Sequence, residues 1–449
     1  EYSKKYNIPI TPRGAGSNLS GSAVGSGMVV LFEKMNKLLE IKGNRVRVQP
    51  GIIYNKLNKE VEEEGILLPY NPSSRAFCTI GGNVGTKASG LRSIKYGNTN
   101  DHIRNIRFVS PEYGVVDTRG GLPPKLKEAI LDLKERILND SEVISILKKK
   151  ENVKTSSGYN LRAFYDYQTP EDIVTHLMVG SVGTLGIWTE IEMELVPLPK
   201  EKIIFLFFFE NITLAGAMVP EIDLLSPSAV EIMDKYGIQV YRDKMGFDIP
   251  DMYNAVLLVE FDDVDEKLKD EVKKIAEKSD ALYHLIVEPD EIKQAWDIRE
   301  FVLLNIKREH EGPNQKYISF VDDLGVPVEN LADFISEVSQ IFEIRGIKFV
   351  VYGHVGEGNI HIRPLIEKED WKERMKILAD LLVKAAFNYG GTVTGEHGSG
   401  RNRSFYVREE WGDKIYSYFK ELKNLFDPED MLNPNVMLSN SDITDNLEF

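Results

Sequence analysis

Glu396 and His397 stand side by side within Gly390-Gly391-Thr392-Val393-Thr394-Gly395-Glu396-His397-Gly398-Ser399-Gly400. That run is too rich in glycine for a regular helix or strand, and glycine permits positive φ and close approach of backbone or ligand. A second polar cluster lies upstream, in Tyr352-Gly353-His354-Val355-Gly356-Glu357-Gly358-Asn359-Ile360-His361. Side chains alternate along a strand, so Tyr352 and His354 share one face while Asn359, His361 and Arg363 share another. Two strands joined by a short turn would let both imidazoles converge. His354, His361 and Glu396 are then a three-ligand set with open positions, as catalytic zinc uses; manganese or iron also suits. From the residues alone, hydrogen-bonded structural histidines fit equally well. His397 offers an imidazole, the side chain best suited to take a proton from a substrate hydroxyl, and Asn359 is grouped with it as a catalytic residue.

Pro289-Asp290-Glu291 reads as a helix start, followed by an apolar stripe of Ile292, Ala295, Trp296, Val302, Leu303 and Ile306. Arg299 falls on that stripe. A guanidinium there needs a partner: either a substrate carboxylate gripped by two N–H groups, or a buried Asp or Glu of the chain itself.

Three glycine-rich segments occupy the N-terminal half. In the first, Arg13-Gly14-Ala15-Gly16-Ser17-Asn18-Leu19-Ser20-Gly21, Leu19 stands where a dinucleotide fingerprint needs glycine. No Gly-Lys pair occurs, so there is no Walker loop. What remains is a small-residue loop able to cradle a phosphate with its N–H groups, or a plain turn. The second, Pro72 to Gly90, repeats that chemistry in Thr79-Ile80-Gly81-Gly82-Asn83 and Ala88-Ser89-Gly90. The third is Gly180-Ser181-Val182-Gly183-Thr184-Leu185-Gly186-Ile187. Two such loops could hold the halves of a pyrophosphate.

The elements that must carry these residues fall into three blocks. Residues 1–197 alternate short strands (27–32, 45–49, 103–110) with the glycine loops, and 123–150 reads as one charged helix. Residues 198–388 twice repeat strand–helix–strand: 203–209, 214–225 and 229–233, then 255–261, 265–278 and 282–287. Helices at 333–341 and 370–388 flank the histidine hairpin. That pattern predicts an α+β domain whose antiparallel sheet is covered on one face. Residues 389–449 return to the site. Each of the larger blocks is long enough to bury a core of its own.

The 449-residue chain is 42% hydrophobic and 28% charged, with a formal net charge of -15, which argues against a general nucleic-acid binder. Cys78 is the single cysteine, excluding an intramolecular disulfide, a thiolate cluster and a dithiol relay. The longest apolar run, 203–209, is too short to span a bilayer. The expected location is cytoplasmic, with peripheral attachment at the inner membrane face left open.

In combination the glycine segments resemble the FAD-binding domain of the vanillyl-alcohol oxidase / p-cresol methylhydroxylase superfamily. With Gly-His-Val-Gly-Glu-Gly-Asn-Ile-His and Gly-Glu-His-Gly-Ser-Gly added, the chain resembles the FAD-linked D-2-hydroxyacid dehydrogenases, of the D-lactate dehydrogenase and glycolate oxidase flavoprotein subunit type. The likeness runs from Glu1 to about Leu438, through Leu432-Asn433-Pro434, without the opening strands of the FAD domain. It implies an N-terminal α/β FAD domain and an α+β substrate domain. It also implies non-covalent FAD, held by Arg13 to Asn18, Ser20, Pro72, Thr79, Gly81, Gly82, Asn83, Ala88, Ser89, Gly90, Gly183, Ile187 and Asn433. Where the family carries an acidic residue this chain has Val182. The resemblance assigns the metal to His354, His361 and Glu396, the base role to His397 and the substrate carboxylate to Arg299. It implies hydride transfer from a D-2-hydroxy acid to flavin N5. Members acting on 2-hydroxyglutarate carry a threonine and a lysine where this chain has Leu303 and Val321, with Lys316 nearby. A smaller or apolar substrate side chain is therefore expected. The electron acceptor is open among a cytochrome, a quinone, an electron-transfer flavoprotein and O2, as is homodimer formation. Two alternatives are an alkyl-dihydroxyacetone-phosphate synthase-like transferase and a metal hydrolase without flavin.

Overall fold

A computed structural model describes residues 1–279, 281–439 and 441–445. The chain divides into two compact units. The first takes residues 1–90, 97–198 and, of the described chain, 393–445; the second takes Leu91–Tyr96 and Pro199–Thr392.

In the first unit β1 (Ile10–Arg13) and β2 (Met28–Leu31) pair in parallel. β3 (Leu38–Lys42), β4 (Arg45–Val48), β6 (Ile103–Ser110), β7 (Gly114–Asp117) and β8 (Ile187–Glu194) form an antiparallel sheet ordered β3-β4-β8-β6-β7. Short strands β5 (Ile66–Leu67) and β9 (Val196–Pro197) pair beside it in sequence. The sheet's apolar positions Val46, Val48, Ile106, Phe108 and Ile191 join one core with Leu126, Ile130 and Leu133 of the helix Pro124–Asn139. The single helix expected over 123–150 is two. Asp140 leaves helical geometry and its carboxylate accepts from Glu142 N and Val143 N, capping a new helix, Ser141–Lys149. The stretch Ile80–Thr86, expected as loop, is a short helix started by Thr79, whose hydroxyl accepts from Gly82 N. A long kinked helix, Gly400–Phe426, sends Trp411, Ile415, Phe419 and Leu422 into the same core.

The second unit is built on β10 (Lys202–Phe209), β11 (Ala229–Met233), β12 (Ala255–Asp262), β13 (Leu282–Ile286), β14 (Gln315–Tyr317), β15 (Asp323–Gly325), β16 (Phe349–Gly353) and β17 (Asn359–Glu367). The order is β13-β10-β12-β11-β16-β17-β14, antiparallel throughout, with β15 on β17. All eight residues of β12 are buried, which requires cover on both faces rather than the expected one. Leu206, Leu258 and Met233 face the helices Lys235–Met245 and Pro289–His310. The helix Ile212–Asp223 packs against β10, β11 and β12. The helix Lys235–Met245 was not anticipated. Asp234 starts it by accepting from Tyr236 N, and Tyr241 and Ile238 anchor it. Among the described residues no helix is long and apolar enough to cross a membrane.

Candidate active site

Within the first unit the three glycine segments meet. A side chain at Gly14 would strike the Thr79 hydroxyl at 2.2 Å, and one at Gly183 would strike Pro12 at 2.3 Å. Gly81 donates to Pro50 O and leaves no room for a Cβ there. These glycines admit neighbouring chain, not only ligand. Gly82 differs: an added Cβ would meet only the Thr79 hydroxyl, at 3.2 Å. Asn83 Nδ2 beside it is buried with no hydrogen-bond acceptor. An open edge and an unused buried donor fit a bound phosphate or flavin group. Arg13 ends β1 and lies against Gly16, Ala15 is exposed, and Ser17 is half-buried. Pro72 turns the chain by accepting from Arg75 N, Ala88 O accepts from Thr99 N, and Gly90 fits closely against Asn71 O. Ile187 opens β8. Val182, in the left-handed region at φ 46, donates its N–H to Gly85 O at 2.9 Å. Asn433 Nδ2 donates to Ser22 O at 2.9 Å and Val182 O at 2.8 Å, joining the first and third segments.

The Glu396-His397 run is irregular, with Gly390, Gly398 and Gly400 in left-handed geometry. That backbone turns both side chains toward one another, Glu396 Oε1 lying 3.6 Å from His397 Nε2. Glu396 Oε2 accepts from the Ser89 hydroxyl at 3.0 Å and lies 3.4 Å from Lys154 Nζ. Asn18 Nδ2 and the Ser20 hydroxyl both donate to His397 O. Ser89, Asn18 and Ser20, read as flavin residues, thus also fasten the carboxylate–imidazole loop.

In the second unit the two histidines come together, ring centroids 5.3 Å apart and nearly perpendicular. Each is faced by a buried carboxylate from the adjacent strand. The β11–β16 register pairs Ile232 with Gly353, so one step further Glu231 stands opposite His354. Glu231 Oε1 lies 2.6 Å from His354 Nδ1. β15 pairs Asp323 with His361, at 3.8 Å between Oδ1 and Nδ1. Asn359 Nδ2 donates to Asp323 Oδ1 and Leu324 O, both at 2.9 Å, while its Oδ1 is buried with no donor. An orphan acceptor beside two imidazoles fits a hydroxyl- or ion-bearing ligand, and nitrogen and oxygen donors suit a zinc-type ion.

Arg299 has the chain's own carboxylate as partner. Its Nε donates to Glu231 Oε2 at 2.7 Å. Nη2 lies 2.5 Å from the same oxygen, so both nitrogens on that edge of the guanidinium face Glu231. Burial alone would raise the Glu231 carboxyl, but the Arg299 charge and His354 hold it below its ordinary value. Tyr352 stands between, its ring 5.1 Å from the Arg299 guanidinium and 5.2 Å from the His361 ring. Arg363 donates to its hydroxyl at 3.3 Å and pairs with Asp322 at 2.7 Å. Val321 is buried, Lys316 lies on β14, and the Leu303 side chain falls outside the described residues.

Glu231, Asp323 and Lys154 were not singled out from sequence. The signal for Glu231 was present: one charge inside Ala229-Val230-Glu231-Ile232-Met233 must be paired if the strand is buried, and Arg299 lacked a named partner.

Comparison with known proteins agrees across the chain. Residues 1–119 match the family described as FAD binding domain, and residues 198–437 match FAD linked oxidases, C-terminal domain. A D-lactate dehydrogenase of Anaerostipes hadrus is 30% identical over 451 residues, covering 95% of this chain and 84% of that protein. Glycolate oxidase subunit GlcD of Bacillus subtilis (strain 168) is 30% identical, covering 97% and 85%. Among solved structures, a 4-ethylphenol oxidase from Gulosibacter chungangensis superposes with a TM-score of 0.66 at 17% identity, covering 97% of this chain and 86% of that one. The chain belongs to the FAD linked oxidases.

Proposed function

We propose that the chain oxidises a D-2-hydroxy acid with a small or apolar side chain to the 2-oxo acid. The observation that carries this is the buried group of Arg299, His354 and His361 with Asn359, whose carbonyl oxygen has no donor among the described residues. FAD when bound supplies the hydride acceptor, and a divalent ion, zinc or alternatively manganese or iron, supplies a Lewis acid. Residues of the three glycine segments would hold the flavin, and His354, His361 and Glu396 are the ligand set for the ion.

Arg299 binds the acid's carboxylate through guanidinium N–H groups beyond the one that Nε gives to Glu231. Asn359 Oδ1 accepts from the substrate hydroxyl before reaction and orients it. His397 takes the hydroxyl proton on Nδ1, the nitrogen not turned to Glu396. Both histidines are themselves buried, as is Val355 next to His354 in sequence, which would limit water at the reacting hydroxyl. The apolar Val321 offers nothing to a second carboxylate, which supports a substrate of the lactate kind.

The test is anaerobic mixing of flavin-loaded protein with a panel of D- and L-2-hydroxy acids, followed by absorbance at the flavin band. Bleaching by a small D-acid, and turnover with a dye acceptor, are expected. A chain that binds no FAD, or a bound flavin that none of these acids reduces, overturns the reading.

A further inference from the structure

Glu231 has 0% exposure and sits mid-strand in β11, yet its two oxygens serve two different functional side chains. Oε1 faces His354 Nδ1 at 2.6 Å and Oε2 accepts from Arg299 Nε at 2.7 Å. We propose that Glu231 is the positioning residue of this centre, fixing the Nδ1–H tautomer of His354 and the orientation of Arg299 with one carboxylate. The proposal rests on the functional reading above.

The chemistry follows from what a carboxylate can do. Ionised, it only accepts, so a 2.6 Å contact requires the hydrogen on His354 Nδ1. The neutral ring then carries its lone pair on Nε2, the atom available to a divalent ion. A carboxylate behind a ligating imidazole also raises its basicity. Arg299, always cationic, meets Oε2 with Nε at 2.7 Å and Nη2 at 2.5 Å, so the buried glutamate is one half of an ion pair. The scaffold leaves neither partner free to move. The strand register sets Glu231 opposite His354. Tyr241 donates to Ala295 O at 3.0 Å, and Trp296 Nε1 donates to Glu260 at 2.7 Å, pinning the helix that carries Arg299. A glutamine has one acceptor oxygen for two donors, so Glu231→Gln must either turn its amide N–H toward Arg299 or force His354 into the wrong tautomer. Ion binding and acid binding should therefore fail together.

Two measurements test this. In metal-stripped wild type, the ¹⁵N–¹H spectrum of labelled histidines, with His354 assigned through His354→Gln, should show Nδ1 protonated. In flavin-loaded protein, calorimetric titration with Zn²⁺ should show Glu231→Gln binding about 10–100-fold more weakly, with a raised KM for the acid. An Nε2–H tautomer in wild type, or wild-type Zn²⁺ affinity in a folded Glu231→Gln variant, overturns the proposal. If Glu231→Gln does not fold, the wild-type spectrum decides. Wild type that takes up no Zn²⁺ at all sinks the metal reading itself, whereas normal uptake in both proteins sinks only the role of Glu231.

Discussion

Asn18 donates its side-chain amide to the main-chain carbonyl of His397 at 2.7 Å, across 379 residues of sequence. Its carbonyl oxygen meanwhile accepts from Ser20 N and Ser22 N, so one side chain closes the first glycine loop on itself and onto the Glu396-His397 run. Asn18→Ala removes these three hydrogen bonds. Discounting for half-burial, the loss should be about 2 kcal/mol. The melting temperature should fall by several degrees, and FAD should leave more readily on dilution. Unchanged melting together with unchanged flavin retention would show that the two loops hold their form independently.

His397→Ala should lower turnover by about 10²–10⁴-fold, the usual range for a general base. Flavin absorbance and ion content should stay as in wild type. Normal turnover would move the base elsewhere.

Dialysis against a chelator should abolish turnover, with Zn²⁺ or Mn²⁺ restoring it. His361→Ala should reproduce the stripped state without a chelator. Full activity in stripped protein, verified by elemental analysis, would remove the ion from the reaction.

Arg299→Lys places a compact ammonium where a planar fork served Glu231 and the acid at once. KM for the acid should rise about tenfold or more, and stability should drop by about 1–3 kcal/mol as Glu231 loses its aligned partner. Wild-type kinetics in this variant would rule out the carboxylate clamp.

Stability of the first unit should depend on acid through His176. Burial, aided by the nearby charges of Arg104 and Lys87, pushes its pKa down to about 3, and the neutral ring stacks on Tyr167 and pairs with Asn100. A histidine depressed from 6.5 is neutral in the fold but takes a proton in the unfolded chain. Its contribution is therefore complete above pH 6.5 and is lost as pH falls from there toward 3. His176→Phe keeps the stack and removes the proton. Its unfolding free energy should vary less steeply across that window, by about one proton; parallel slopes for the two proteins would contradict this.

Much of the second unit's scaffold was legible, because β10 is a nearly unbroken apolar run and the helices Ile212–Asp223 and Glu266–Lys278 start at the side-chain caps Asn211 and Asp265. β11, Ala229–Met233, matches its expected bounds, and β10 differs by one residue. What escaped was set by tertiary context. Ile80–Thr86 is helical although three of its seven residues are glycine, because the Thr79 cap and packing against Pro50 outweigh propensity. The burial of both sheet faces was hidden, since a fully apolar strand does not say how many layers cover it. The histidines and Arg299 were visible through their spacing. In sequence Glu231 is visible as a charge needing a partner, but which imidazole it and Asp323 face was not legible, because each lies far in sequence from that ring and only strand register brings them together.

Asn433, fastened to Ser22 and Val182, means that the glycine-loop unit is stitched from segments on both sides of Pro199–Thr392, a stretch that runs without interruption. During synthesis the uninterrupted stretch can fold while the ribosome still holds the rest. The earlier segments must wait for the last strand of the stitch to emerge. Nascent chains arrested before Val393 should consequently protect residues 199–392 from protease and leave residues 1–90 open to cleavage, with flavin loading expected only once Asn433 has emerged.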